Sequence, residues 1–196
     1  MRKLTMAELG RKTVEECRQA EKLPVLVVLD QVRSMHNVGA VFRTADAFQI
    51  QAIWLCGYTP RPPHRDIHKT ALGATETVAW QHHPDTVEAI RQLKQQGYEV
   101  WAVEQATHSR YLQDFQPDFS RPIAVVFGNE MHGVQEPVLQ EVEGCLEIPQ
   151  FGMKHSLNIA VSVGVVLWDL LVKYIRSPQG RASSFDLQTH RYIEDL

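Results

Sequence analysis

Two uninterrupted apolar runs, residues 25–29 (Val-Leu-Val-Val-Leu) and 123–127 (Ile-Ala-Val-Val-Phe), dominate the hydrophobic pattern of the chain. Continuous β-branched and apolar residues over one strand's length mark strands covered on both faces. Residues 52–56 and 98–103 predict two further strands, and residues 77–80 a shorter one. Between these runs the apolar positions take helical spacing. Val38, Val41, Phe42 and Ala45 share one side of a helix that starts at Val38 with Asn37 as N-cap. Pro84 opens a helix through Val87, Ile90 and Leu93 that Gly97 stops, and residues 138–142 predict about two helical turns. Residues 5–22 read as an amphipathic helix with a Thr5/Glu8 capping box, ended by Pro24.

The most apolar helix lies near the C-terminus. Ile159, Val161, Val163, Val165, Val166, Leu167 and Leu170 cover nearly all its faces. Such a helix is expected to be buried on more than one side, in the centre of the fold, at a subunit interface, or both. Ser156 is its predicted N-cap, after a short strand near Cys145 and a loop over residues 150–155. Alternating strands and helices define an α/β class with a mostly parallel sheet, helices on both faces and right-handed crossovers. Ligands sit at the carboxyl ends of the strands in such sheets, which directs attention to the loops 33–37, 128–133 and 149–156. Residues 57–69, with three prolines, read as a loop.

The 196 residues divide into a core domain over 24–176, a helical N-terminal extension over 1–23, and a polar tail over 177–196. The tail reads as a flexible arm with room for a short terminal helix. No apolar run reaches membrane-span length, and no secretory leader opens the chain, so a cytoplasmic protein without membrane attachment is expected. Cys17, Cys56 and Cys145 form no Cys-x-x-Cys pair, and His64 with His68 lacks a carboxylate to complete a metal site, so no metal is expected. The net charge of −3 argues against holding nucleic acid by bulk charge. Local basic clusters remain: Arg61, His64, Arg65, His68 and Lys69; Arg2, Lys3, Arg11 and Lys12; and Lys173, Arg176, Arg181, His190 and Arg191. Each reads equally well as solvated surface charge.

Three constellations carry candidate chemistry, each with a plain structural alternative. Arg43 falls one turn after Gly39, so a ligand can approach the helix and meet a guanidinium suited to a two-pronged phosphate grip. Alternatively Arg43 pairs with Asp46 or Glu21, and Gly39 serves packing. Glu130 sits in a glycine-bounded loop, Gly128 to Gly133, where it could take a cation or a hydroxyl, or belong to a plain turn. This loop is neither a dinucleotide fingerprint nor a P-loop. Ser156 and Asn158 stand at a helix N-terminus, which favours negative charge, although Ser156 also reads as a cap and nothing more.

In this order and at these distances, the three blocks resemble the signature motifs of the SpoU (TrmH) family of RNA 2′-O-ribose methyltransferases, in the SPOUT superfamily. They are residues 37–45, 126–134 and 148–162, and residues 69–74 fit a further family segment. The resemblance covers roughly residues 24–175. It implies a deep C-terminal trefoil knot, a homodimer, and S-adenosylmethionine bound in bent form among the knot loops. By position, Gly128, Ile148 and Leu157 would contact this methyl donor, with Gln105 beside it. Arg43 matches the family's catalytic arginine, and Asn37, Glu130, Ser156 and Asn158 match its other functional positions. A guanidinium keeps its proton in water. Arg43 is therefore expected to orient the RNA phosphate next to the target ribose, with that phosphate helping to take the proton. Many relatives carry an RNA-binding domain before the knot. Only about 23 residues precede the first strand here. RNA contact then falls to the basic extensions and the 57–69 loop, which favours tRNA over ribosomal RNA. Two alternatives are a non-catalytic RNA-binding relative and a small nucleotide-binding regulator; the latter would bind no S-adenosylmethionine.

Overall fold

The computed structural model describes residues 2–5, 8–183 and 185. Seven strands form one sheet: β1 (Leu23–Asp30), β2 (Ile50–Cys56), β3 (Trp80–His83), β4 (Glu99–Val103), β5 (Arg110–Tyr111), β6 (Ile123–Phe127) and β7 (Gly144–Glu147). Their order is β3-β2-β1-β6-β4-β7-β5, and every pairing is parallel. The two apolar runs are the central neighbours β1 and β6, in register from Val25 opposite Ile123 to Leu29 opposite Phe127.

Side chains alternate between two cores, as the period of two along a strand requires. Val25, Val27, Leu29, Ile123, Val125 and Phe127 enter one core with α2 (Met35–Ala47), α3 (Arg65–Ala71) and α7 (Ile159–Arg176). Leu26, Val28, Ala124 and Val126 enter the other with α5 (Thr86–Gln95) and α6 (Glu136–Leu139). Helices thus cover both faces.

Several boundaries differ from the sequence reading. The Thr5/Glu8 capping bonds form, but positive φ at Gly10 breaks the helix expected over 5–22. Thr13 restarts it with a second capping box, giving α1 (Val14–Gln19). Ser34, not Asn37, caps α2, its Oγ accepting from the Asn37 N–H at 3.2 Å. Part of the expected 57–69 loop is helix: His64 caps α3 through Nδ1, immediately after the prolines. Residues expected as a strand over 77–80 end the short α4 (Ala74–Thr77) and begin β3. α6 is one turn instead of two. Asn158, not Ser156, caps α7 by accepting from the Ala160 N–H at 2.9 Å.

Within the single chain α7 is buried along one side only. Val163, Val166, Leu167 and Leu170 are fully buried, whereas Val161, Val165 and Trp168 form an open stripe, Trp168 58% exposed. After α7 comes the short α8 (Pro178–Arg181). The helix expected at the end of the tail, with His190 and Arg191, lies outside the described residues. Among the described residues no helix is long and apolar enough to cross a membrane.

Candidate active site at the carboxyl ends of the strands

The loops after β4, β6 and β7 meet at the carboxyl end of the sheet around a cavity of about 440 Å³. Its size falls within the range of ~300–1,000 Å³ usual for small-molecule sites. Predicted site residues Gln105, Gly128, Glu130, Ile148, Ser156, Leu157 and Asn158 all line it. Asn37 and Arg43 do not.

The loop after β6 is built to stay in place. Asn129 and Gly133 exchange backbone hydrogen bonds of 2.9 Å each way, closing a small antiparallel bridge. The Asn129 Oδ1 accepts from the N–H groups of Met131 (2.8 Å) and His132 (3.3 Å). A Cβ on Gly128 would overlap the Gly133 and Val134 backbone, so only glycine permits this closure. Two carboxylates outside the motifs pin the same loop. Glu104, at the end of β4, accepts from the Val134 N–H at 3.0 Å. Buried Asp30, at the end of β1, accepts from the Gln135 N–H at 3.0 Å and the Thr86 hydroxyl at 2.6 Å. Burial raises the Asp30 pKa above the ordinary carboxylate value, and these bonds offset only part of the rise.

Glu130 is the hub between loops. One carboxylate oxygen accepts from the Arg33 N–H at 3.0 Å; the other accepts from the Ser34 N–H and the Asn37 amide, each at 3.0 Å. Partial burial alone would raise its pKa, but the bonds from Arg33, Asn37 and Ser34 prevail and hold it below the ordinary value. Glu130 therefore holds the entry to α2 as an anion; with both oxygens occupied, it is poorly placed to serve as a proton acceptor. The Asn37 Oδ1 accepts from the Asn158 amide at 3.2 Å, so Asn37 links all three motif loops without touching the cavity.

The loop after β7 is held lightly. Residues 151–158 are all exposed, and Gln105 Nε2 donates to the His155 carbonyl at 3.1 Å. No backbone N–H of residues 150–157 donates to a protein acceptor, and the Ser156 hydroxyl has no partner, among the described residues. Freed from the capping role, Ser156 faces the cavity with its hydrogen-bonding capacity intact.

Arg43 lies exposed on α2, six residues beyond Asn37, which is about 9 Å along a helix axis. It carries no ion pair or hydrogen bond among the described residues, so the alternative of a pairing with Asp46 or Glu21 is not formed. Gly39 serves packing: a Cβ there would overlap Thr70 and the Ile67 carbonyl of α3, which leaves no opening for a ligand.

The sequence profile described as the SpoU rRNA Methylase family matches residues 24–168. The chain belongs to this family of RNA 2′-O-ribose methyltransferases. Within it, a tRNA (guanosine(18)-2′-O)-methyltransferase of Thermus thermophilus is 33% identical over 162 residues, 83% of this chain and 81% of the relative. A 23S rRNA (guanosine-2′-O-)-methyltransferase of Vibrio parahaemolyticus is 30% identical over 83% of this chain, which spans 64% of that longer protein. The crystal structure of an A. aeolicus TrmH/SpoU tRNA modifying enzyme shares the fold, with a TM-score of 0.75, 20% identity and 91% coverage of both chains. An AdoMet-bound rRNA methyltransferase from Sinorhizobium meliloti has a TM-score of 0.70 and 28% identity over 78% of this chain and 60% of that one.

Sequence reasoning missed Glu104, Asn129 and Asp30 as organisers of this SpoU site. Asp30 ends β1 and Glu104 directly follows β4, so the rule that placed ligands at strand ends could have flagged both.

Proposed function

We propose that the protein transfers a methyl group from S-adenosylmethionine to a ribose 2′-hydroxyl of structured RNA in the cytoplasm, with tRNA as its substrate. The observation that carries this reading is the cavity where the SpoU motif loops meet, bridged by Glu130, Asn37 and Asn158. The donor fits the residues present. The cavity combines apolar Phe127, Leu146, Ile148 and Leu157 with the polar Gln105 and Ser156, beside a loop whose backbone N–H groups are free of protein partners. Gln105, Gly128, Ile148 and Leu157 would hold the donor. When bound, it supplies an electrophilic methyl group on a sulfonium.

The chain's own residues then place the nucleophile. Arg43, unpaired on α2, grips the phosphate beside the target ribose through two parallel bonds. It keeps its proton, and the phosphate it holds helps to take the proton that the 2′-hydroxyl loses. Ser156 and Asn158 line the cavity and would face the incoming ribose. Glu130 and Asn37 fix the α2 entry relative to both motif loops.

Two features of assembly belong to this reading. β7 lies between β4 and β5, while the chain leaving β5 returns to β6 on the far side of β4. Residues 104–122 therefore run out beyond the place of β7 in the sheet and back before β7 is inserted, a strand order that supports a trefoil knot. The open Val161, Val165 and Trp168 stripe supports a homodimer built on α7. The match across most of the Thermus tRNA enzyme's length favours tRNA. Mapping 2′-O-methyl sites in RNA from cells with and without the gene decides the substrate. Loss of one tRNA site is expected; loss confined to ribosomal RNA would move the substrate, and no loss anywhere would overturn the reading.

A further inference from the structure

We infer that Tyr58 is a stacking platform for a nucleobase of the bound RNA, with Arg33, Arg61 and Arg65 holding the phosphates around it. The inference rests on the RNA-methylating function proposed above and assigns a substrate subsite to it.

Tyr58 follows β2, at the same end of the sheet as the cavity, and is 61% exposed. An exposed tyrosine alone is ordinary. This one is held at both ends. Its backbone N–H donates to Gln31 Oε1 at 3.0 Å, and its phenol oxygen accepts from Asn129 Nδ2 at 3.0 Å. Asn129 is 7% exposed and lines the cavity, so one side chain separates the ring from the donor site. The amide orientation is fixed, because Asn129 Oδ1 accepts two backbone N–H groups and its Nδ2 also donates to the Gln31 carbonyl at 2.7 Å. The phenol therefore acts as acceptor toward Asn129 and keeps its own hydrogen to donate outward. A ring ordered before binding loses little entropy when a base stacks on it.

The surrounding charge suits a polyanion. Thr59 Oγ1 accepts from the Val32 N–H at 3.0 Å, which ties the loop carrying Arg33 to the loop carrying Tyr58 and Arg61. Arg65 opens α3, whose Thr70 bonds the His36 carbonyl of α2 at 3.0 Å. Arg33, Arg61 and Arg65 make no ion pair among the described residues; Arg33 reaches only the Met131 sulfur at 3.4 Å. In a chain of net charge −3, guanidinium groups without ion pairs, on segments tied to the one that carries an exposed, immobilised ring, have the composition of a single-stranded nucleic-acid site: stacking for a splayed base, arginines for its phosphates.

The test is binding of fluorescein-labelled unmodified tRNA by anisotropy, with labelled ribosomal RNA as a second arm, and S-adenosylmethionine affinity by calorimetry. Tyr58→Ala and Tyr58→Leu should each weaken RNA binding at least about five-fold, the scale of one lost base stack. Tyr58→Phe, which keeps the ring, should stay within about two-fold. All three should bind the donor as the wild type does, which also shows that they fold. If the wild type binds and methylates RNA while Tyr58→Leu binds it equally well, this inference alone fails. It also fails if Tyr58→Phe loses as much as Tyr58→Ala, since the bond with Asn129 would then carry the effect. A wild-type protein that binds neither RNA overturns the proposed function and this subsite with it.

Discussion

Replacing Glu130 by Gln tests whether the hub holds the motif loops as an anion. The carboxylate accepts three hydrogen bonds, all at 3.0 Å, from Arg33, Ser34 and Asn37. A glutamine keeps one acceptor and turns its NH₂ toward donors, so at least one bond is lost and two donors oppose each other. Charged hydrogen bonds contribute ~1.5–3 kcal/mol when buried; Glu130 is largely exposed, and screening brings the expected loss to ~1–2 kcal/mol. The pH dependence has a definite sign. A carboxylate whose folded pKa lies below its unfolded value stabilises the fold above the unfolded value, about 4.3 for glutamate. That stabilisation is lost as pH falls through the depressed folded-state value. Urea denaturation of both proteins from neutral pH into this acid window should show a gap at pH 7 that closes on acidification. Methyl transfer should fall further than donor affinity, because the α2 entry and Asn37 lose their anchor. Equal stability at pH 7, or a gap unchanged through the acid window, would refute the assignment.

Three further outcomes follow from the geometry. Gly128→Ala places a methyl group into the Gly133 and Val134 backbone, and should cost ~1–3 kcal/mol in thermal or urea melts together with donor affinity in calorimetry. Arg43→Lys keeps the charge but loses the two-pronged grip, so kcat/KM for RNA should fall about ten-fold or more with donor binding intact; wild-type turnover would remove Arg43 from its role. Trp168→Glu puts a charge into the open α7 stripe and should leave a monomer in sedimentation at micromolar concentration, where the wild type is expected to be a dimer. A dimeric Trp168→Glu protein would place the interface elsewhere.

The central sheet was legible because β1 and β6 are buried on both faces and show it as unbroken apolar runs. Periodicity carried less information at helix starts, where several polar residues compete to cap. Ser34 captures the cap of α2 and releases Asn37 to bridge Glu130 and Asn158. Asn158 captures the cap of α7 and releases Ser156 to the cavity. In both helices a shift of two or three residues, within ordinary boundary error, decides which side chain is available for chemistry. α3 was hidden behind Pro62 and Pro63, with histidine as an uncommon cap. The placement of β7 between β4 and β5 could not be read from local pattern, because neighbouring strands there are far apart in sequence. The open stripe on α7 shows the limit of composition: it marked the helix as apolar but not which face the chain leaves uncovered.

Methyl transfer by the purified protein tests the central claim most directly. Labelled S-adenosylmethionine is supplied with unmodified tRNA or ribosomal RNA, and the digested RNA is analysed by mass spectrometry. The account predicts label on a single 2′-O-methylated nucleoside of tRNA, dependent on Arg43. Label on a base, or no label in either RNA from a protein that binds the donor, would contradict it.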